Sequence, residues 1–311
     1  MMTRVTPPFV SFAQNREDVV LNRAFAHLAT GTYLEVGANW PTEDSISRSF
    51  YDRGWSGITI EPVASMCEAH RRERDRDTQV CAAAGRPGAG PLTLHRIAGT
   101  GLSTTVDAVG DSHRLAGMDI EDVEVPSTTV DDVLAEHMPA DAPLHFAVID
   151  TEGAEEDVLA GFDLARWGPW VLVIEATAPN SREPTHDAWE PGVLAAGYRL
   201  CQFDGLSRFY VHQDHADRLG PDLSLAASPV DGYVLHREVD LRRTVDELQA
   251  DVIRWRTAAL TRWADAVAQR GGTSEDREPA DALRAELDRT RQTISRRSTA
   301  PLRAVRRRAA R

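Results

Sequence analysis

No lysine occurs in this chain; all 35 basic residues are arginine. Biased codon usage is the plainer origin, and the consequence holds under it. Schiff-base lysines, a P-loop lysine and a kinase-type phosphate lysine are excluded together. Cysteine is scarce as well. Cys67, Cys81 and Cys201 show neither metal-ligand spacing nor a pairing signature, so they are expected as reduced, packed thiols of a cytoplasmic protein. There is no apolar signal core at the start and no apolar run long enough to span a membrane. Positive charge is short overall, the net charge being −13, which argues against nonspecific nucleic-acid binding by the whole chain. The imbalance is uneven. Nine arginines and no acid follow Asp288, leaving −22 on residues 1–288. A basic end on an acidic body suggests a tail that acts separately, either docking on anionic lipid or serving as a disordered solubilising end.

What is present alternates. Apolar residues at helical spacing over 14–29 predict a leading helix. TYLEVG, GITIEP and VCAAA predict three strands, with EDSISRSFYDRG and VASMCEAHRRERDR as helices between them. PLTLHRI reads as a further strand, followed by the small-residue loop GTGLSTT and the helical TVDDVLAEH. HFAVID and WVLVIEA are strongly apolar strands, and EGAEEDVLAGF starts a helix between them. A helix around Trp189 leads to YRLCQFDG and SRFYVHQ, an antiparallel pair joined at Asp204-Gly205. Strands alternating with helices imply an α/β fold with a mostly parallel sheet covered on both faces.

The pattern changes near residue 230. Leu241, Val245, Leu248, Val252, Trp255 and Ala259 fall 4-3-4-3-4 apart, a coiled-coil-like stripe over 231–270. GGTSEDREPA makes 271–280 a linker, and Leu283, Leu287, Thr290 and Ile294 resume the spacing within 281–311, ahead of the basic tail. The stripe fits either a helical hairpin packed on the body or a homo-oligomer.

Four acids close predicted parallel strands: Glu35, Glu61, Asp150 and Glu175. That edge of an open α/β sheet is where ligands bind. Glu61 lies 24 positions after Gly37, near the usual place of the acid that accepts ribose hydroxyls; a helix-start carboxylate is the alternative. The turn Gly37-Ala38-Asn39 lacks the full glycine series of dinucleotide sites, although asparagine tolerates the left-handed conformation. Fewer glycines point away from a diphosphate and towards S-adenosylmethionine, whose ammonium Glu35 would help neutralise. In Asp150-Thr151-Glu152-Gly153-Ala154-Glu155, Asp150 or Glu152 faces cofactor or substrate, while helix capping accounts for part of the segment, Glu155 included. His186 is a candidate base in a polar loop that equally reads as surface.

In order along the chain, SFAQNREDVVL, YLEVGAN, SFYDRGWSGITIEP, GTGLST, FAVIDTEGAEEDVL, WVLVIEATAPNS, PTHDAWEP and FDGLSRFYV resemble the FkbM-type methyltransferases, over roughly residues 10–215. The resemblance implies a class I, Rossmann-like fold for residues 1–230, with a seven-stranded sheet whose last strand is antiparallel. It also implies S-adenosylmethionine-dependent methylation of a hydroxyl on a sugar, a glycan or a natural product. By matching position, Gln14, Glu35, Gly37, Ala38, Asn39, Glu61, Ser103 and Asp150 become cofactor-binding candidates, with Gln14, Glu17 and Asp18 in the leading signature. Asp150, Glu175 and His186 are the candidate catalytic groups, and Glu152 and Asp204 the candidate substrate-binding ones. Glu35 stands where the family usually has aspartate, and Val148 where it often has lysine, so no such lysine acts here. No metal is expected, because the spacing of Asp150, Glu152 and Glu175 fits no standard site. The tail is similar to the ends of some bacterial surface-glycan transferases and tilts the acceptor towards glycans. A silent methyltransferase-like scaffold working through its C-terminal helices is the alternative function, and NAD-dependent sugar modification is disfavoured by the glycine-poor turn.

Overall fold

The computed structural model describes residues 8–139, 141–270 and 285. Seven strands build one sheet: β1 (Thr32–Val36), β2 (Ser56–Ile60), β3 (Thr78–Val80), β4 (Phe146–Ile149), β5 (Val171–Glu175), β6 (Tyr198–Phe203) and β7 (Ser207–His212). Across the sheet they run β6-β7-β5-β4-β1-β2-β3. β1 to β5 are mutually parallel where they pair, and β7 lies antiparallel to both β5 and β6. The chain leaves β1 in one direction towards β2 and β3 and returns on its other side with β4. The two halves therefore part between β1 and β4, and a crevice opens beyond the carboxyl ends there.

Burial on both faces explains why β4 (FAVI) and β5 (VLVIE) are apolar without alternation. Successive residues go to opposite faces. Leu34, Val36, Ala147, Ile149, Leu172 and Ile174 pack with Val133, Leu134 and Val158 on one side. Tyr33, Phe146, Val148, Val171 and Val173 pack with Phe25, Phe50 and Trp55 on the other. The leading helix is Glu17–Ala24, shorter than its apolar spacing suggests; it starts after Arg16, whose φ of 70° ends the preceding extended chain. Asp18 ties that helix down, accepting from Ser11 Oγ (2.7 Å), the Phe12 amide (2.8 Å) and Ser49 Oγ (2.7 Å).

The segment VCAAA is not one strand. β3 ends at Val80, and Ala83–Ala84 pair instead with Ser127–Thr128 outside the main sheet. Between them Cys81 is joined to Cys67, so the expectation of three unpaired thiols is corrected for two of them. The helix Ala64–Glu73 runs back beside β3, which brings the two α-carbons to 5.9 Å, within disulfide reach. Their separation of 14 residues carries no recognisable motif, and only the packing reveals the pair. Cys201 stays a free thiol. Leu92–Arg96 is a strand as expected, and its partner Glu121–Val125 was hidden by three acids in five residues.

The chain divides into a body, Pro8–His236, and a second unit that begins at Arg237. The helix His236–Arg270, which belongs to the second unit from Arg237 onward, leaves Leu241, Val245, Leu248, Val252 and Trp255 exposed. The linker 271–280, the spacing Leu283, Leu287, Thr290 and Ile294, and the basic tail lie outside the described residues. No helix among the described residues is long and apolar enough to cross a membrane.

Candidate functional site

The site begins at the turn after β1. Gly37 has φ 78° and Asn39 φ 50°, both left-handed, and the amides of Gly37 and Ala38 point back to the Ile60 carbonyl at 2.9 and 3.2 Å. Glu61, just beyond β2, clasps this turn. Its Oε2 accepts the Asn39 amide at 3.0 Å and its Oε1 the Val63 amide at 2.8 Å. Burial pushes the carboxyl up to about 7, partly opposed by those two amides. His70 holds the far side of the turn, with Nε2 3.0 Å from the Asn39 carbonyl. Burial and the nearby Arg74 push the imidazole down to about 4, so near neutral pH it is uncharged and Nε2 is the donor.

Two cavities meet at this turn and share Gly37, Asn39, Gly101, Asp150 and Glu152. The first has an apolar wall of Ile60, Val63, Met66 and Leu94, with Glu61, Ser103 and Thr105 at its polar edge. The second is polar and includes Gln14, Glu35, Ala38 and Asp44. The GTGLS loop closes over the junction because Gly101 has no side chain; a β-carbon there would stand 2.6 Å from Asn39 Nδ2. Ser103 Oγ fixes the loop by accepting the Ile97 amide, and Thr104 Oγ1 donates to the Glu152 carbonyl. Asn39 Oδ1 is buried here without a donor.

The four strand-end acids divide in use. Glu61 rims the first cavity. Glu35 is taken up by the fold: it accepts the amides of Ile46 and Ser47 and the hydroxyls of Ser45 and Ser47, and Arg74 Nη1 lies 3.8 Å away. With these bonds in place it still lines the second cavity, beside Gly37 and Ala38. Asp150, just past the end of β4, and Glu175, the last residue of β5, lie side by side, and Glu152 joins them from the following turn, where its φ is 53°. One oxygen of each falls within 4.8 Å of the other two. Burial is the largest cause raising all three, Asp150 to about 6, Glu152 to about 8 and Glu175 furthest. Repulsion from Glu155 adds to it at Asp150, where the hydrogen bond with Glu175 works the other way, and repulsion from Asp150 adds to it at Glu152 and Glu175. Glu155 caps the next helix, accepting the amides of Thr151 and Gly153 and the Thr151 hydroxyl.

His186 does not join these acids. Arg208 Nη2 donates to its Nε2 at 2.7 Å, while Arg208 Nη1 and the Tyr210 hydroxyl both donate to Glu190 Oε1. Arg208 lies opposite Ile174 in the β5–β7 register and Glu175 opposite Ser207. Alternation therefore sends Arg208 and its histidine to one face of the sheet and Glu175 to the other. Asp204 shapes the β6–β7 turn, its Oδ1 accepting the amides of Leu206 and Ser207, while its Oδ2 is buried without a donor.

Residues that strand and motif reading passed over include the apolar wall and Arg74. Arg74 is 1% exposed and binds Asp77 (2.8 Å), the Tyr33 hydroxyl (2.8 Å) and Ser45 Oγ (3.1 Å). In the sequence it sits inside RRERDR, a run that reads as a solvated helix end.

Residues 35–200 match the model of the methyltransferase FkbM domain. Among solved structures, the crystal structure of the B. subtilis M1A22 tRNA methyltransferase TrmK matches at 10% identity, over 92% of this chain and 99% of that one, with a TM-score of 0.30. A likeness that slight carries no argument about fold or substrate. No match is found among curated proteins.

Proposed function

Because the chain belongs to the FkbM methyltransferase family, we propose that it moves a methyl group from S-adenosylmethionine to a hydroxyl oxygen of a sugar, glycan or glycosylated metabolite. The observation that carries the cofactor is the shape of the cleft at the β1 turn. An apolar wall of Val63, Met66 and Leu94 suits a base. Glu61 at its edge, holding one amide on each oxygen, keeps further lone pairs for ribose hydroxyls. The polar half, with Gln14, Glu35, Ala38 and Asn39, suits a charged amino-acid end. Asn39 Oδ1, buried and lacking a donor, is an acceptor facing that need. The strand order, with β7 antiparallel, supports a class I methyltransferase fold. The acceptor class, and a setting in cell-surface glycan or natural-product biosynthesis, rest on the family resemblance.

When bound, S-adenosylmethionine supplies a methyl carbon on a cationic sulfur that leaves as a neutral thioether. The protein's own work is to align the acceptor oxygen and to take its proton. With that methyl group held in line, a carboxylate oxygen of Asp150 would take the proton that the acceptor hydroxyl gives up. Asp150 borders both cavities, whereas His186 is held on the opposite face by Arg208.

Calorimetric titration of the full chain with S-adenosylmethionine tests this reading. Saturable binding at one per chain, lost in Glu61→Ala, is expected. A wild-type protein that binds none leaves the scaffold function in its place.

A further inference from the structure

We propose that Asp150, Glu152 and Glu175 together hold one divalent cation of the hard, oxygen-seeking class (magnesium, manganese or calcium), and that the acceptor's hydroxyl oxygens complete its coordination. The acceptor's part rests on the methyl-transfer reading above; the cation site does not.

The geometry is the first support. The three ligand oxygens, one from each side chain, all lie within 4.8 Å of one another. An ion whose oxygens sit at 2.0–2.6 Å can gather only oxygens no more than about 4–5 Å apart. All three therefore fit around a single centre.

The second support is independent of the clustering. Glu175 is only 6% exposed, and its carboxyl meets that of Asp150, an acid against an acid, while its Oε2 and that of Glu152 are buried with no hydrogen-bond donor. A buried carboxylate oxygen left without a donor is costly, and native structures rarely keep one without a partner to supply. Among the described residues, moreover, no arginine or histidine forms an ion pair with any of the three. Glu35 at the same sheet edge shows the contrast, with Arg74 and four donors around it. A sulfonium, wrapped in three carbons, cannot approach three carboxylates at coordination distance and would leave Glu175 Oε2 as it is.

The donor set names the class of ion. Three carboxylates without imidazole or thiolate suit magnesium, manganese or calcium rather than zinc or copper. Three protein ligands leave positions for water or for two neighbouring hydroxyls of a sugar. A hydroxyl on such a cation loses its proton more readily. Each carboxylate keeps a second oxygen, so Asp150 can still receive that proton. Sequence spacing hid the site because Glu175 reaches the other two only through the pairing of β4 with β5.

Manganese titration of the full-length protein, followed by the paramagnetic signal of the free ion and with neither cofactor nor acceptor present, tests this. One saturable site per chain is expected, with a dissociation constant of about 1 mM or tighter. Glu175→Gln and Asp150→Asn, checked for folding by circular dichroism, should each weaken it at least about tenfold. No saturable site in the wild type, or one that both substitutions leave unchanged, overturns the proposal. Should one variant fail to fold, Glu152→Gln reads out the same loss. A parallel titration with S-adenosylmethionine in EDTA separates the two ideas: cofactor binding without manganese binding sinks the cation site alone, and manganese binding without cofactor binding sinks the methyl-transfer reading alone.

Discussion

A β-carbon added to Gly37 would stand 1.7 Å from the main-chain carbonyl oxygen of Asp150. That closeness ties the turn after β1 to the end of β4, next to the Asp150 amide's bond to the Val36 carbonyl at 3.0 Å. Gly37→Ala must force the two strand ends apart and also hold alanine at φ 78°. Its expected cost is at least about 2 kcal/mol in urea unfolding, together with loss of cofactor binding in whatever protein still folds. Wild-type stability and affinity in this variant would show that the close approach is not part of the site.

Glu61 gives the site a dependence on pH with a definite sign. Its folded carboxyl lies near 7 against an unfolded value of 4.5, so between these the folded state binds the extra proton. Stability from this group is complete below about 4.5 and is lost as pH rises through about 7, by roughly 3 kcal/mol at most. Glu61→Gln should remove that part of the slope in unfolding measured from pH 4 to 8. Ribose hydroxyls need the ionised acceptor, so cofactor affinity should move the other way and weaken as pH falls through 7, again only in the wild type. An identical pH profile for the two proteins would remove Glu61 from both roles.

Much of this site was legible because buried parallel strands are apolar throughout, which makes a terminal acid conspicuous. Glu35, Glu61, Asp150 and Glu175 were all found that way, and the hairpin at Asp204-Gly205 by its turn residues. What each acid does was not legible, since that depends on partners far away in the chain. That Glu35 also meets Arg74 was not legible, because nothing in RRERDR says that this arginine turns inwards. His186 was grouped with Asp150 and Glu175 because loop position says nothing of which face a side chain takes; the β5–β7 register decides that. That Glu175 lies beside Asp150 and Glu152 was hidden for a like reason, since it follows from the pairing of β4 with β5 rather than from spacing.

If Asp150 takes the hydroxyl proton, Asp150→Asn should lower the turnover number by about 10²- to 10⁴-fold, read as radiolabelled methyl passed to the acceptor. His186→Ala should keep the rate within a few-fold, since its ring partners Arg208 rather than the acids of the cleft. The reverse ranking would make the histidine the base and would require the 176–190 loop to rearrange when substrate binds.

Arg74 is the counterweight for a second group of buried acids. It is the cation beside both Glu35 (3.8 Å) and Asp77 (2.8 Å), which is itself fully shielded and also accepts the Tyr33 hydroxyl. Arg74→Met keeps much of the volume but strands two carboxylates, which is expected to cost about 3–5 kcal/mol. Adding Glu35→Gln to that variant should recover part of the loss in a double-mutant cycle. Strict additivity would mean the two side chains do not interact.

Cys67 and Cys81 each adjoin a residue of the apolar cavity wall, Met66 and Ala82 respectively. The bridge closes a loop of 14 residues, and a loop of that size is worth about 3 kcal/mol when the unfolded chain is constrained. Thiol titration of the denatured protein should find one reactive group, Cys201, before reduction and three after it. Reduction, or Cys67→Ser with Cys81→Ser, should lower unfolding stability by about 2–3 kcal/mol. It should also weaken cofactor binding more than it disturbs the turn at Glu61, because the freed ends carry the wall and not the clasp. Three reactive thiols in the untreated protein would show that the helix Ala64–Glu73 is held against β3 by packing alone.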